Sequence, residues 1–286
     1  MEYFSIFPNA SAYESTNNLS TPHVSLIQDT NEVRYKPHGT AKDYLTFTAF
    51  ENGTFKFTNN VQYSLDEGKT WTTLAANTNT PTIKANEKIL WKANIEAQAY
   101  KGVGTFSSTC KFNAEGNVMS LMYGDNFIGK TTLNGSDEFG GFYSLFEDNT
   151  NIVDAEYLQL PALYLKHGCY MNMFYGCTSL IGGPALPATT LANNCYACMF
   201  YGCTSLTKAP KLLAVHAESG CYQSMFNGCT SLKEVYCITY DNIENMGSDM
   251  CNGIAQTGTF YKYYLVSTES FPAGTIPTDW TVVDIR

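Results

Sequence analysis

Cysteine is the first residue type in this chain that could carry chemistry. The chain has 10 cysteines in 286 residues, and Cys195 and Cys198 have the Cys-x-x-Cys spacing of zinc and redox sites. A zinc site needs a second such pair or helical histidines, and the neighbouring copies of this segment lack both. Cysteines that recur at one place in successive repeats are typical of a buried column of small apolar side chains. We therefore predict buried thiols, with some disulfides or a metal site as alternatives, and no cofactor.

Histidines and paired carboxylates offer little for catalysis. None of the 4 histidines has a fixed spacing to a Ser or Cys nucleophile; they are His23, His38, His167 and His216. Asp148 and Asp154 are close in sequence, but they lie beside a repeat edge, where solvation is a more ordinary role than acid and base catalysis. Neither a glycine-rich phosphate loop nor a metal motif is present. The sequence thus predicts no catalytic residues, no metal ligands and a binding protein.

Composition excludes several classes of function. The formal charge is −9, and the clustered Lys and Arg that phosphate contacts require are missing, so we expect no nucleic-acid partner. No stretch approaches 18 apolar residues, so no membrane span is expected. The first residues lack the pattern of a secretory signal, although a chain whose signal had been removed would look the same. With 44% hydrophobic residues, 20 Tyr and 17 Phe, the chain is expected to be folded and rich in strands.

A strong internal repeat sets the expected architecture. The pattern Cys-Tyr-x-x-Met-Phe-x-Gly-Cys-Thr-Ser-Leu begins at Cys169, Cys195 and Cys221, with a spacing of 26 residues. A degenerate copy precedes it at 145–152, and the pattern dissolves after Tyr236, as expected for the ends of a repeat array. The predicted repeat core comprises Cys169, Cys177, Cys195, Cys203, Cys221, Cys229, Met173, Met199, Met225, Phe174, Phe200 and Phe226.

Spacing within one copy predicts its local structure. Leu191, Cys195, Cys198 and Met199 fall on one face of a helix, and residues 206–212 are predicted to be a strand. Glycine recurs at positions 176, 202 and 228, where a left-handed residue would end each helix. Each repeat is therefore predicted to be a short helix, a turn and a short strand.

Residues 186–212, "LPATTLANNCYACMFYGCTSLTKAPKL", resemble the repeat of the BspA-like leucine-rich-repeat family. That family includes surface proteins of gut commensal bacteria and virion proteins of their phages. The tail "NGIAQTGTFYKY" with "FPAGTIPTDWTVV" is similar to the cap of that family. One departure is residues 211–218, where the Leu-Pro-Ala-Thr-Thr run is lost. The resemblance implies a leucine-rich-repeat solenoid and surface recognition.

The N-terminal half has a different pattern. Between 44 and 125, apolar and polar residues alternate in short runs separated by Gly, Asn and Asp, which predicts an antiparallel β-sandwich. The segment Ser64-Leu65-Asp66-Glu67-Gly68-Lys69-Thr70-Trp71 is similar to the Asp-box hairpin of sialidase propellers and other β-proteins. A sialidase would carry several boxes and an arginine cluster, so we predict a structural hairpin, with its key residues Ser64, Asp66, Gly68, Thr70 and Trp71.

The first residues are expected to form an arm rather than a domain. The segment "TPHVSLIQDTNEVRYKP" at 21–37 resembles one near the start of virion proteins in phages and prophages of gut commensals. That resemblance implies attachment to other virion proteins.

Tyrosine is the most interesting residue type for binding. Tyr170, Tyr196 and Tyr222 recur in one register, and the position before the repeated glycine holds Tyr175, Tyr201 and Asn227. One set should be core, and an exposed set would suit stacking on sugars or packing on a partner protein. We predict Tyr175 and Tyr201 as the surface pair and candidate binding residues.

The resulting prediction is a mixed fold in which an antiparallel β-sandwich-like domain precedes a short α/β leucine-rich-repeat solenoid. The predicted segments are the arm at 1–40, the β-domain at 41–127 and the repeats at 128–286, with a cap from about 239. The first functional hypothesis is a non-enzymatic phage virion protein, in the tail or as a head decoration, that contacts a host surface protein or glycan through its repeats. The alternatives are an extracellular or surface-attached bacterial adhesin that binds host matrix or glycans, and a glycan-active enzyme. Formation of a homo-oligomer is left open.

Overall fold

The computed structural model describes residues 43–285 and the backbone of two short strands, β1 (Gln28–Asp29) and β2 (Glu32–Val33). These two strands pair antiparallel and belong to a separate unit, residues 1–43. Most of the predicted arm, with His23 and His38, lies outside the described residues. Residues 44–286 form one compact unit.

A six-stranded sheet organises the first part of the large unit. The strands of this part are β3 (Leu45–Ala49), β4 (Phe55–Phe57), β5 (Val61–Ser64), β6 (Thr72–Leu74), β7 (Lys88–Lys92), β8 (Phe106–Ser108), β9 (Phe112–Asn117) and β10 (Ile152–Gln159). The order in the large sheet is β10-β9-β3-β7-β5-β6, and β4 and β8 form a separate antiparallel pair. Neighbours in the large sheet are antiparallel, except that β10 runs parallel to β9.

Aromatic side chains fill the space between the large sheet and the β4–β8 pair. The Phe47 ring lies 5.4 Å from Phe55, 4.9 Å from Phe106 and 4.8 Å from Phe112. Phe55 and Phe57 are both buried because alternate residues of a strand point to the same face. Phe146, from the first degenerate repeat, lies 5.8 Å from Phe47. The core of the β-region is therefore continuous with the core of the repeats.

The C-terminal residues form a second, wholly parallel sheet of β11 (Glu234–Cys237), β12 (Thr259–Tyr263) and β13 (Thr281–Ile285). Helical structure in the described residues is short. It consists of α1 (Ser120–Tyr123) and the 3-10 turns Gly124–Asn126, Ile243–Asn245 and Thr268–Ser270. No helix in this part of the chain is long and apolar enough to cross a membrane.

The predicted fold class is wrong. The structure is 27% strand and 5% helix, its sheets are mixed and parallel, and a leucine-rich-repeat solenoid is not supported. The first domain is not a purely antiparallel sandwich, because β10, which follows the first degenerate repeat, joins its sheet in parallel. The predicted strand at 206–212 is also absent. Its β-pairing is limited to isolated bridges, from Lys208 to Gly182 and from Leu212 to Cys237.

Backbone geometry explains why the predicted helices do not form. Residues 192–203 are a run of tight turns in which Asn194, Cys198 and Gly202 have positive φ angles of 54°, 53° and 71°. An α-helix cannot contain a left-handed residue at every fourth position. The N–H groups also alternate: that of Tyr196 donates to Cys221 in the next copy, and that of Ala197 donates three residues back to Asn194. Half of the donors thus serve contacts between copies and are lost to a helix.

Candidate binding face

The three complete copies lie against one another in register. The Phe174 ring stacks on Phe200 at 5.3 Å, and Phe200 stacks on Phe226 at 5.7 Å, with nearly parallel planes. All twelve predicted core residues, the six Cys, three Met and three Phe, have no exposed surface. Since each turn is packed and hydrogen-bonded to the next, the surface of this region is held on a rigid framework.

The cysteines are free thiols, and nine of the ten are buried. Burial raises the pKa of the Cys169, Cys221 and Cys229 thiols to about 12, which keeps them protonated and unreactive. Cys198 is half-buried, and it is not bonded to Cys195 although they share the Cys-x-x-Cys spacing. In the described residues no group of three or more His, Cys, Asp or Glu could hold a metal ion.

The two tyrosine sets differ in burial. The first set is almost fully buried; it comprises Tyr170, Tyr196 and Tyr222. Tyr175 and Tyr201 are half-buried, and their rings stack at 4.9 Å with planes 7° apart. Partial desolvation raises the pKa of Tyr175, and the neighbouring Tyr201 raises it further. The phenol is therefore neutral and able to donate a hydrogen bond. The structure thus brings the two predicted binding residues together as one stacked pair.

The stacked pair belongs to a longer column of equivalent positions. Phe146 stacks on Phe174, so Glu147 precedes Tyr175 in the column, and Asn227 follows Tyr201. Along the column the side chains are therefore a carboxylate, two aromatic rings and an amide. This combination can offer hydrogen bonds at both ends of an apolar patch.

The Asp-box segment forms a closed hairpin turn. Asp66 accepts hydrogen bonds from the Thr70 amide at 2.9 Å and from the Thr70 hydroxyl at 2.7 Å, and the Ser64 hydroxyl donates to it at 2.7 Å. These bonds lower the pKa of Asp66 to about 2, and those from Thr70 have the largest effect. The Gly68 amide donates to Ser64 Oγ, and the Trp71 indole N–H donates to the Gly68 carbonyl at 3.1 Å. The polar side chains of the key box residues all form hydrogen bonds within the turn, which fits a structural role.

A charged cluster beside this hairpin could not be recognised from the sequence. Lys92 Nζ lies 4.2 Å from the Trp71 ring centroid and 2.7 Å from Asp125 Oδ1, and the Tyr44 hydroxyl donates to Asp125 at 2.7 Å. Hydrogen bonds from Lys92 and then Tyr44 lower the pKa of Asp125. Lys92 looked like an ordinary polar strand residue, and only tertiary packing brings its partners to it.

The remaining titratable candidates do not converge on one site. His216 pairs with Asp241 at 2.5 Å, whereas His167 lies 3.2 Å from Asn194, in a different copy. Desolvation raises the pKa of Asp154. Asp148 is exposed, and its backbone is left-handed with a φ of 55°. The prediction that the chain is not an enzyme stays a prediction.

No family model, curated protein or solved structure matches this chain. The resemblance to the BspA-like family, which rests on the repeated residues, therefore stays a prediction.

Proposed function

We propose that this chain is a non-enzymatic recognition protein of a phage virion, in the tail or as a head decoration. It contacts the host surface through the face that carries Tyr175 and Tyr201. The observation that carries this proposal is the stacked pair of half-buried tyrosine rings on a tightly packed framework. Rings that are already held in place lose little conformational entropy when they meet a partner, so their apolar surface contributes efficiently to affinity.

The virion location rests on the sequence of the N-terminal arm, residues 21–37. In this proposal the arm binds other virion proteins and the repeat region faces outward. Mass spectrometry of purified phage particles and of washed bacterial envelopes tests the location. Detection of the chain on particles supports the proposal. Detection on envelopes alone would replace it with a bacterial adhesin.

The binding face is tested with purified protein and intact host cells. Tyr175→Ala/Tyr201→Ala removes the stacked pair and is expected to weaken binding at least about tenfold, the loss that two contact tyrosines produce. The matched control is Tyr236→Ala/Tyr261→Ala, a second half-buried stacked pair, 4.0 Å apart, on strands β11 and β12. Equal binding by both double variants would contradict the proposal.

A further inference from the structure

A polar cleft of about 390 Å³ lies at one end of the tyrosine column. Lys101 and Glu147 are the two charged residues that line it, and their charges offset each other. Such a cleft suits a neutral ligand rich in hydroxyl groups better than an ion. The other side chains that matter for its chemistry are Asn59, Gln98, Tyr100, Tyr143 and Ser144.

Tyr100 provides an exposed aromatic platform at the cleft. Its side chain is 63% exposed, and its ring stacks on Phe139 at 4.9 Å. It lies in a tight turn that Gln98 and Gly102 close, since the backbone N–H of each donates to the carbonyl of the other. Its φ of 58° is costly for a tyrosine and persists only where the surroundings hold it. The ring is thus fixed in an exposed position that core packing does not require.

Ser144 provides an unused hydrogen-bonding group at the same cleft. The residue is 5% exposed, and its Oγ has no hydrogen-bond partner in the described part of the protein. A buried hydroxyl without a partner is destabilising, and native proteins keep few of them. Because this Oγ is closed off from solvent, a ligand hydroxyl in the cleft supplies the missing partner only when the Ser144 side chain rotates toward the cleft.

Glu147 connects the cleft to the binding face. It lines the cleft and also occupies the column position next to Tyr175. Asn172 Nδ2 donates to Glu147 Oε1 at 3.4 Å, which leaves the second carboxylate oxygen to accept from a ligand. The cleft and the tyrosine pair therefore form one continuous surface.

We propose that this cleft is a binding subsite for a neutral oligosaccharide, so that the host ligand is a glycan. The proposal rests on the recognition function proposed above. A pyranose ring has a face of C–H groups, which packs on the negative face of an aromatic ring such as Tyr100. Its rim of hydroxyl groups matches the amides of Asn59 and Gln98, the Glu147 carboxylate and the Ser144 hydroxyl. One sugar occupies the cleft, and the chain continues over Tyr175 and Tyr201.

The test is titration calorimetry of the full chain with a panel of neutral tetrasaccharides of glucose, mannose, galactose and N-acetylglucosamine. At least one is expected to bind, and Tyr100→Ala is expected to weaken that binding about tenfold or more. Tyr164→Ala is the control, since Tyr164 is 65% exposed and lies outside the cleft. Ser144→Gly should also weaken binding without loss of thermal stability, because glycine suits the φ of 54° at this position.

Two outcomes overturn the proposal: no tetrasaccharide binds, or Tyr100→Ala binds as tightly as the unaltered chain. Its failure is distinct from failure of the recognition function. If no saccharide binds but Tyr175→Ala/Tyr201→Ala still abolishes attachment to cells, recognition stands and the saccharide site is wrong. If saccharide binds but the double variant attaches to cells normally, the site stands and the proposed face is wrong.

Discussion

The stability of substitutions at Ser224 distinguishes a left-handed turn from a helix at this position. Ser224 is half-buried with φ 51°, and it is equivalent to Cys198 in the preceding copy. We expect Ser224→Gly to be more stable than Ser224→Ala. Alanine in left-handed backbone costs about 1–2 kcal/mol, whereas glycine adopts this region freely, although it loses more entropy on folding.

The expected net difference is about 1 kcal/mol in favour of glycine, after part of the left-handed cost is offset by the entropy of glycine in the unfolded chain. In a helix the order would be reversed, with alanine better by about 1 kcal/mol. The two structures therefore predict opposite signs in this comparison, about 2 kcal/mol apart, and the urea midpoints of the two variants reveal the sign when their m-values are equal.

The assay is urea unfolding of both variants, with Gln223→Ala and Gln223→Gly as the neighbouring pair of controls. Gln223 is exposed and is not among the residues with positive φ, so alanine should be equal or better there. If alanine were the better residue at position 224 as well, the left-handed turns and the explanation for the missing helices would be refuted.

Three further predictions concern the core, the thiols and the Asp-box hairpin. Phe200→Ala should lower the free energy of unfolding by about 3–5 kcal/mol, because Phe200 is fully buried between two rings. Tyr201→Ala should lower it by less than about 1 kcal/mol. Equal losses of the two variants in urea unfolding would contradict this prediction. Thiol titration should find that Cys198 reacts first in the folded protein, because it is the one cysteine that is not buried, although partial desolvation raises its pKa. All 10 cysteines should react after unfolding, and several thiols that react as early as Cys198 would be inconsistent. Thr70→Val should raise the pKa of Asp66 from about 2 toward its ordinary 3.8, as followed by NMR. Because this pKa is lowered in the folded state, its stabilising contribution is complete above pH 3.8 and is lost as the pH falls through about 2.

The repeat length and the identity of the buried residues could be predicted from sequence. Cys195, Met199 and Phe200 recur with a fixed spacing, and apolar residues at fixed positions in stacked copies must face the shared core. Thr204, which is repeated but polar, is exposed, and the repeated Ser205 is half-buried.

The local structure could not be predicted, because two structures share one apolar spacing. A helix has 3.6 residues per turn, and a chain of turns with a left-handed residue at 194, 198 and 202 has four. Both give buried residues at 195, 199 and 203. Gly202 pointed to one left-handed residue, and asparagine adopts this region more often than most residues, so Asn194 was a weak sign of a second. Nothing in the type of Cys198 marked it as a third.

The cleft could not be predicted for a different reason. Tyr100 and Ser144 are far apart in sequence, and neither belongs to a motif. Tyr100 becomes notable only through its exposure and φ angle, and Ser144 only through its buried hydroxyl without a partner.

Alkylation of Cys198 tests most directly whether the proposed face meets the host. Cys198 is the one cysteine that is not buried, and its carbonyl accepts a hydrogen bond from the Tyr201 amide at 3.1 Å. The measurement compares alkylation of Cys198 in free chain and in chain bound to host cells, read by peptide mass spectrometry. We predict a severalfold slower reaction in the bound chain, because the partner covers Tyr175 and Tyr201. An unchanged rate in chain that is demonstrably bound would contradict the central claim.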